Sequence, residues 1–353
     1  MTPARSVAPE DQLVNWLRKR TAVSGRTLIG DDAALLPAGG PWAVTTDQQI
    51  EGVHVATGFA PAAWARRLLQ VNLSDLAAVG ARPRFAFAAL AAPGAFDHRS
   101  FLGALAAAGR RCGLQLAGGD LATAGRVHAT LTLVGDRPRR GRWLERGAAR
   151  PGDRLWLGGV VGQSALGRFL LAAGARVEGR RIVLPPKVRQ PRELAAAARG
   201  AVRRHLAPRA QLELGLSLGR RQRCAAIDVS DGLALDLHRL CRASAVGARI
   251  HADRLPLSRH ARDLAQRLEA DALEAALGGG EDYVLLFALP RTSRAPAGCK
   301  RVGEIVAGSG VQLVTEDGET PLRPLGWDHL AGGSGNLSPT ERSRGPADRE
   351  PSG

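Results

Sequence analysis

The sequence has 353 residues, a length that suggests two domains rather than one. Hydrophobic residues make up 44% of the chain, which is typical of a globular protein and excludes a disordered or collagen-like one. The net charge of +16 comes almost entirely from arginine. Nucleic-acid binding would be expected to add a basic stripe with interleaved aromatic residues, and the sequence has none. A solvated basic surface is therefore favoured over an RNA site.

The four cysteines are far apart in the sequence and form no C-x-x-C pair, which argues against a zinc site or a redox pair. The first residues lack the apolar core of a signal peptide, and no apolar run reaches about 18 residues. These features predict a cytoplasmic protein that does not span a membrane.

The first part of the chain alternates predicted helices with short apolar strands. The predicted helices cover residues 10–20, 64–79 and 99–112. The predicted strands cover residues 27–29, 42–44, 85–90, 115–117 and 127–134. Polar and helix-breaking residues cluster at 137–141 and predict a domain boundary there. The N-terminal domain is therefore expected over residues 1–136.

The second part, residues 137–330, again alternates strands and helices. Strands are predicted at 154–157, 224–229, 284–289 and 300–306, and helices at 164–172 and 233–244. An arginine-rich insertion is expected at about 174–200. The segment 331–353 is rich in Gly, Ser and Pro and predicts a disordered tail. The predicted fold class is α+β, with two α/β domains.

Aspartate recurs where predicted strands end, a position at which open α/β sheets bind ligands. A single aspartate after a strand is more often a helix cap or a turn residue, but the recurrence favours a shared site. Several carboxylates together would repel one another unless a hard cation such as Mg²⁺ neutralised them. These aspartates are Asp31, Asp32, Asp47, Asp120, Asp228 and Asp231.

Glycine pairs could supply backbone N–H groups for phosphates. They lie at 118–119, 158–159 and 278–280. The sequence has neither a Walker A loop nor the glycine-rich loop of protein kinases. A phosphotransferase with this sequence would therefore depend on metal ions and arginine.

Nine segments follow the order of one known family across nearly all of residues 10–330. They are GDDAALL (30–36), TTDQQIEGVH (45–54), NLSDLAAVGARP (72–83), GGD (118–120), GRWLERGAARPGD (141–153), AIDVSDGL (226–233), GGGEDYVLLF (278–287), VGEI (302–305) and GWDH (326–329). Through them the chain resembles the thiamine-monophosphate kinases of the aminoimidazole ribonucleotide synthetase-like superfamily.

The resemblance implies direct in-line transfer of the γ-phosphate of ATP to thiamine monophosphate, without a general acid or base. It implies Mg²⁺ ligands at Asp32, Thr45, Thr46, Asp47, Asp75, Asp120, Asp228 and Asp231. It implies ATP contacts at Gly119, Asp120, Arg146 and Ser230, and thiamine monophosphate contacts at His54, Glu281 and Trp327. It also implies a homodimer formed through the N-terminal sheets and a C-terminal domain of the superfamily type.

The sequence departs from the family pattern at Val55, Val79 and Leu330, which affects the expected shape of the acceptor pocket. Selenophosphate synthetase is excluded because it needs a reactive Cys or selenocysteine close to the N-terminus, and the first 60 residues contain no Cys. The hydrogenase maturation factor is excluded because it needs a C-terminal cysteine, and this sequence ends in Pro-Ser-Gly. Another enzyme of the superfamily, similar to aminoimidazole ribonucleotide synthetase, remains an alternative. An arginine-rich RNA-binding protein is a second alternative, which would explain the charge alone.

Overall fold

The computed structural model describes residue 12 and residues 34–36, 42–179, 181–221 and 223–328. Several sequence-based expectations lie outside these residues. They are the helix at 10–20, the strand at 27–29, Asp31, Asp32, Leu330 and the tail at 331–353. In the described part of the chain, no helix is long and apolar enough to cross a membrane.

The N-terminal part of the described chain forms a five-stranded sheet with strand order β1-β2-β5-β3-β4. Its strands are β1 (Ala34–Leu36), β2 (Trp42–Ile50), β3 (Arg82–Ala92), β4 (Gln115–Thr123) and β5 (His128–Asp136). Strands β3 and β4 pair in parallel, and the other neighbours are antiparallel. Strand β4 is therefore an edge strand.

Two helices pack on this sheet, α1 (Pro61–Ala78) and α2 (His98–Arg111). Helix α1 begins with a proline, whose fixed φ suits the first helical position. Asp97 caps α2 by accepting a hydrogen bond from the Ser100 N–H at 2.9 Å. Trp64 is almost fully buried and meets Phe101 edge to face, with ring centroids 6.5 Å apart. This aromatic contact joins the two helices in the first hydrophobic core.

The C-terminal part forms a seven-stranded sheet with strand order β14-β13-β10-β12-β6-β11-β9. Its strands are β6 (Arg154–Leu157), β9 (Ala225–Asp228), β10 (Gly247–His251), β11 (Leu285–Leu289), β12 (Lys300–Val306), β13 (Gly310–Thr315) and β14 (Gly318–Pro321). Every residue of β11 is buried, as expected for a strand covered on both faces. The two sheets confirm the predicted fold class. The boundary at 136/137 stays a prediction.

The described residues of this second part include six helices. They are α3 (Gln163–Ala172), α4 (Arg192–Leu206), α5 (Leu212–Leu218), α6 (Leu233–Ser244), α7 (Arg259–Arg267) and α8 (Ala272–Gly278). The arginine-rich segment expected at 174–200 contains a hairpin, β7 (Arg176–Glu178) with β8 (Arg181–Val183), and the start of α4. Its Ile182 and Leu194 pack with α3 and α7 in a separate hydrophobic core.

Two predicted strand ends are wrong. Asp47 was expected after a strand, but β2 continues to Ile50, and Asp120 was expected after a strand but lies inside β4. The glycines before Asp120 suggested a turn because glycine is depleted in strands. Gly119 is nevertheless in the strand because it pairs closely with Ala88 of β3.

Gly119 has a φ of 156°, and a Cβ there would lie 1.9 Å from the Ala88 carbonyl oxygen. We expect Gly119→Ala to destabilise the fold by about 2–3 kcal/mol, because backbone must move to admit the methyl group. Thermal unfolding without ligands measures this. Gly118→Ala is the matched control, because its Cβ would meet the Phe87 ring at 3.4 Å, an ordinary contact. Equal melting temperatures for the two variants would contradict the close-approach explanation.

Candidate active site

A cavity of about 350 Å³ is lined by residues from both the N-terminal and the C-terminal part of the described chain. The N-terminal part contributes the loop at 52–56 that follows β2. The C-terminal part contributes Ser230 and Asp231, the segment 278–281, and side chains from α3, α4 and the segment after β14. This volume suits a small-molecule ligand.

The cavity brings together the three side chains expected to contact the acceptor, His54, Glu281 and Trp327. Backbone hydrogen bonds fix two of them around one loop. The Glu281 N–H donates to the Ser230 carbonyl at 2.6 Å, and the Trp327 N–H donates to the Asp231 carbonyl at 2.8 Å. The sequence places these residues far apart, and the fold makes them neighbours.

Glu281 is held by two basic side chains. The Arg67 guanidinium donates to Oε1, and His205 Nδ1 lies 3.1 Å from Oε2. Burial by itself would raise the pKa of Glu281, but the charge of Arg67 and the hydrogen bond and charge of His205 lower it to about 2. The Glu281 carboxylate is therefore ionised and has a fixed orientation.

The backbone around Glu281 is strained. Glu281 and Tyr283 have φ angles of 55° and 48°, in the left-handed region that side chains other than glycine rarely adopt. Such conformations persist only where surrounding contacts enforce them, and they occur preferentially at functional sites. The Arg67 contact and the Ser230 hydrogen bond are two such contacts.

His54 is oriented by its own loop. Its Nδ1 accepts a hydrogen bond from the Ile50 N–H at 3.1 Å, which leaves the hydrogen of the neutral imidazole on Nε2. The Glu51 carboxylate braces the loop by accepting from the Gly58 and Val127 N–H groups, each at 3.2 Å. The loop thus presents His54 to the cavity in a defined tautomer.

Four of the expected metal ligands converge next to α1. Thr45 Oγ1 donates to Asp75 Oδ2 at 2.6 Å. Ser74, the neighbour of Asp75, donates to Asp228 Oδ2 at 2.5 Å. The Asp47 N–H donates to the Asn72 side chain at 3.1 Å, so strand β2 and strand β9 both meet this helix.

The buried hydroxyl of Tyr283 is affected by nearby carboxylates. Burial is the main reason that its pKa is well above the usual value, and the negative charges of Glu281, Asp47 and Asp228 raise it further. Tyr283 lines the cavity, and the carboxylates that act on its hydroxyl are those of Glu281, Asp47 and Asp228.

Asp231 belongs to a neighbouring network. The Arg239 guanidinium donates to both Asp231 and Asp236. Asp236 also accepts from the N–H groups of residues 230, 231 and 232 at 3.1–3.2 Å. Burial raises the pKa of Asp236 to about 7, against the lowering effect of Arg239. Arg146 also lowers this pKa, which places its charge near the loop.

Asp120 and Gly119 do not join this group within one chain. Asp120 is in register with Ala89, Ala89 with Thr130, and Thr130 with Gln48 of β2. Three strand spacings therefore separate Asp120 from β2, about 14 Å. Thr46 contacts Thr132 of β5 at 2.9 Å.

The donor chemistry of the convergent residues fits Mg²⁺. Thr45, Asp47, Asp75 and Asp228 offer only hard oxygen atoms, which Mg²⁺ prefers. The described residues contain no group of three His, Cys, Asp or Glu side chains already arranged to hold a metal ion. The metal roles expected from the sequence therefore remain predictions.

Sequence reasoning missed several residues of the site: Arg67, Arg168, His205, Asp236 and Arg239. The sequence did contain a signal for Arg67, because it is a charged residue within the apolar pattern of α1. It is only 3% exposed. The others gave no signal, since their partners are brought together by the fold alone.

The fold and the site define a member of a known class of two-domain enzymes. The family model "AIR synthase related protein, N-terminal domain" matches residues 30–136. The structure of AaThiL complexed with AMPPCP and TMP is similar at a TM-score of 0.77 and 28% identity, over 91% of this chain and 97% of that one. The hydrogenase maturation protein HypE in complex with ATP shares the fold, at a TM-score of 0.61 and 17% identity.

Comparison with individual sequences identifies one family within this class. The thiamine-monophosphate kinase of Salmonella typhimurium is 35% identical over 86% of this chain and 92% of its own length. That of Escherichia coli K12 is 36% identical over 86% of this chain and 91% of its own length. The chain belongs to the thiamine-monophosphate kinase family, which confirms the resemblance found in the sequence.

The low pKa of Glu281 predicts an acid dependence of stability. Its pKa is about 2 in the folded protein against an ordinary 4.5, so its ionised form stabilises the fold above about pH 4.5. This contribution is lost as the pH falls towards 2. We expect the difference in unfolding free energy between wild type and Glu281→Gln to shrink by on the order of 3 kcal/mol between about pH 5 and pH 2.

Urea unfolding across this pH range measures the difference in unfolding free energy. The other carboxylates are the same in both proteins, so their contributions cancel in this difference. Glu213→Gln, at an exposed position of α5, is the control and should follow the wild type. A constant difference between wild type and Glu281→Gln would contradict the ion-pair account of Glu281.

Proposed function

We propose that this protein transfers the γ-phosphate of ATP to thiamine monophosphate, with thiamine diphosphate and ADP as products. One observation carries the proposal: a single cavity contains His54, Glu281 and Trp327 together with Ser230 and Asp231. AaThiL, which is similar over nearly its whole length, is complexed with the ATP analogue AMPPCP and with TMP.

The residues have distinct roles in this proposal. Trp327 offers an aromatic face to the cationic thiazolium ring, and its backbone is anchored to the Ser230–Gly232 loop. Ser230 and Arg146 contact ATP from the same side. The acceptor phosphate is already anionic, so no side chain is needed as a general base. The chain acts by positioning the two substrates in line.

Mg²⁺ is the proposed cofactor, held by Thr45, Asp47, Asp75 and Asp228. When bound, it neutralises the charge of the two phosphate groups and of the transition state. Asp231, which pairs with Arg239, and Asp32, outside the described residues, are proposed as further ligands. Thr46 is proposed as a third Mg²⁺ ligand from β2, beside Thr45 and Asp47. A cytoplasmic location remains part of the proposal, and the four cysteines are free thiols.

The direct test is to incubate the purified protein with Mg-ATP and thiamine monophosphate, thiamine or other phosphorylated acceptors. Thiamine diphosphate should form from thiamine monophosphate alone. Formation of a different product, or ATP turnover only with another acceptor, would favour an enzyme similar to aminoimidazole ribonucleotide synthetase. A salt-dependent RNA complex without ATP turnover would favour the RNA-binding alternative.

We expect Asp47→Asn to lower kcat by on the order of 100-fold or more while leaving the melting temperature near that of the wild type, because the substitution removes charge but keeps shape. Steady-state assays at several Mg²⁺ concentrations measure this. Asp253→Asn, at an exposed position just after β10, is the control. Wild-type kcat at saturating Mg²⁺ would exclude Asp47 from the metal site.

A homodimer is the second part of the proposal. Among the described residues, β4 is an edge strand and β1 pairs with residues 42–44 of β2 alone, so β4 and the rest of β2 offer strand-pairing positions. Phe87 is 44% exposed and Leu121 is 58% exposed on adjacent strands. Pairing β4 of one protomer with β2 of its partner would bring Asp120 and Gly119 beside the partner's Thr45–Asp47 segment.

We expect Leu121→Glu to convert the dimer to a monomer, because the new charge would be buried in the interface. Light scattering coupled to size-exclusion chromatography measures the mass. Val177→Glu is the matched control, since Val177 is 50% exposed on the distant β7 hairpin. A monomeric wild type, or a dimer that survives Leu121→Glu, would contradict the proposed interface.

A further inference from the structure

A second cavity, of about 300 Å³, is lined by the segment that follows β5 and by the residues just before β9. We call it the arginine pocket, because its lining includes Arg137, Arg142, Arg221 and Arg223. The Arg142 N–H donates to the Gly219 carbonyl at 2.7 Å, which joins the two segments. The proposed function gives these arginines no role.

The arginine pocket lies away from the proposed active site. Arg137 directly follows β5, whose last residue pairs with Trp42, five residues before Asp47. Cys224, also in the lining, precedes β9, and Asp228 ends that strand. Because a strand rises about 3.3 Å per residue, these positions lie about 16 Å from Asp47 along β2 and about 13 Å from Asp228 along β9.

The buried part of the lining is apolar. Leu144 and Cys224 are both buried and belong to the same hydrophobic core cluster. The Leu144 N–H donates to the Val79 carbonyl at 3.1 Å, which fixes the backbone there. Burial raises the pKa of the Cys224 thiol, so it carries no charge at neutral pH. The charge of the arginine pocket therefore comes from its other side chains.

Arg223 is held in place by partners of its own. Its guanidinium donates to both carboxylate oxygens of Asp153, at 2.7 Å to Oδ1, and to the Ala148 carbonyl at 3.0 Å. Such a bidentate pair fixes the orientation of the guanidinium. Asp153 therefore compensates the charge of Arg223.

The other three arginines are not compensated in this way. Within the described chain, no hydrogen bond or ion pair reaches the guanidinium groups of Arg137, Arg142 and Arg221. Glu145, the one acidic residue of the described lining, can neutralise at most one of these charges. At least two positive charges therefore remain in excess. A concave site with charges of one sign concentrates their field and attracts ions of the opposite sign.

The chemistry of guanidinium groups indicates the kind of anion. Arginine binds phosphate oxygens through paired N–H donors, and it does so without a metal ion. A single phosphate group carries at most about two negative charges. A diphosphate group carries more charge and offers oxygens to three guanidinium groups at once. The cavity volume is at the lower end of the range for small-molecule sites.

We propose that the arginine pocket is a second binding site, which takes the diphosphate group of a small molecule through Arg137, Arg142 and Arg221. This site is separate from the proposed catalytic one, and the proposal does not depend on the proposed function. Two compounds that carry such a group are ADP and thiamine diphosphate.

Calorimetric titration of the full-length protein with inorganic pyrophosphate, in EDTA and at constant salt, tests the proposal. Without Mg²⁺ the aspartates of the proposed active site repel the probe, whereas guanidinium groups need no metal. We expect the wild type to bind pyrophosphate more tightly than inorganic phosphate. Arg142→Gln and Arg221→Gln should each weaken pyrophosphate binding about tenfold, the effect of one charged hydrogen bond.

A charge-matched pair of double variants separates a site from general attraction. Arg142→Gln with Arg221→Gln removes two charges from the arginine pocket. Arg192→Gln with Arg203→Gln removes two charges from exposed positions of α4, outside the pocket. The second double variant should bind pyrophosphate as the wild type does, and the first should lose most of the binding.

Titration with ADP and with thiamine diphosphate under the same conditions identifies the rest of the ligand. At least one of the two should lose affinity about tenfold in Arg142→Gln and in Arg221→Gln. A loss for neither compound would contradict a site for a diphosphate group within a larger molecule.

Three further results would overturn the proposal. A wild type that does not bind pyrophosphate has no such site. Equal weakening in the two double variants would show general attraction to a basic protein. Binding that changes in Asp47→Asn but in neither Arg142→Gln nor Arg221→Gln would place the probe at the active site. Failure of the wild type to form thiamine diphosphate would refute the proposed function alone, because the binding test is independent of it.

Discussion

Helix α1 is the element on which the rest of the site depends. Its buried and half-buried polar side chains reach both parts of the chain: Arg67 contacts Glu281, Ser74 donates to Asp228, and Asp75 accepts from Thr45. Buried polar groups are tolerated only where they are paired, so these contacts constrain the two sheets relative to each other. The same side chains that join the domains therefore position the oxygens and the acceptor wall.

This constraint explains why the active-site segment can be strained. Glu281 and Tyr283 adopt left-handed backbone angles, which are unfavourable for residues other than glycine. Contacts with the rest of the fold must therefore stabilise them. The Arg67 guanidinium and the Ser230 carbonyl hold Glu281 at its side chain and its backbone. Asp282, between the two strained residues, fixes the start of α3. A single segment thereby sets the geometry of this cavity wall.

The sequence predicted the elements whose pattern is local. The helix at Leu233–Ser244 and the strands at Arg154–Leu157 and Lys300–Val306 agree with the structure residue by residue. Strand β4 was predicted only at residues 115–117, because Gly118 and Gly119 suggested a turn and Gly119 is held in the strand by its pairing with Ala88. The site residues of the family motifs were found by resemblance. Arg67 was missed, because its partner Glu281 is 214 residues away and only the fold joins them.

We propose that the cavity lined by both parts of the described chain binds the acceptor beside the phosphoryl donor. A crystal structure with Mg²⁺, a non-hydrolysable ATP analogue and thiamine monophosphate tests it most directly. We expect the thiazolium ring against Trp327 and the acceptor phosphate facing Asp47 and Asp228. Thiamine monophosphate bound outside this cavity, or with its phosphate at Glu281, would contradict it.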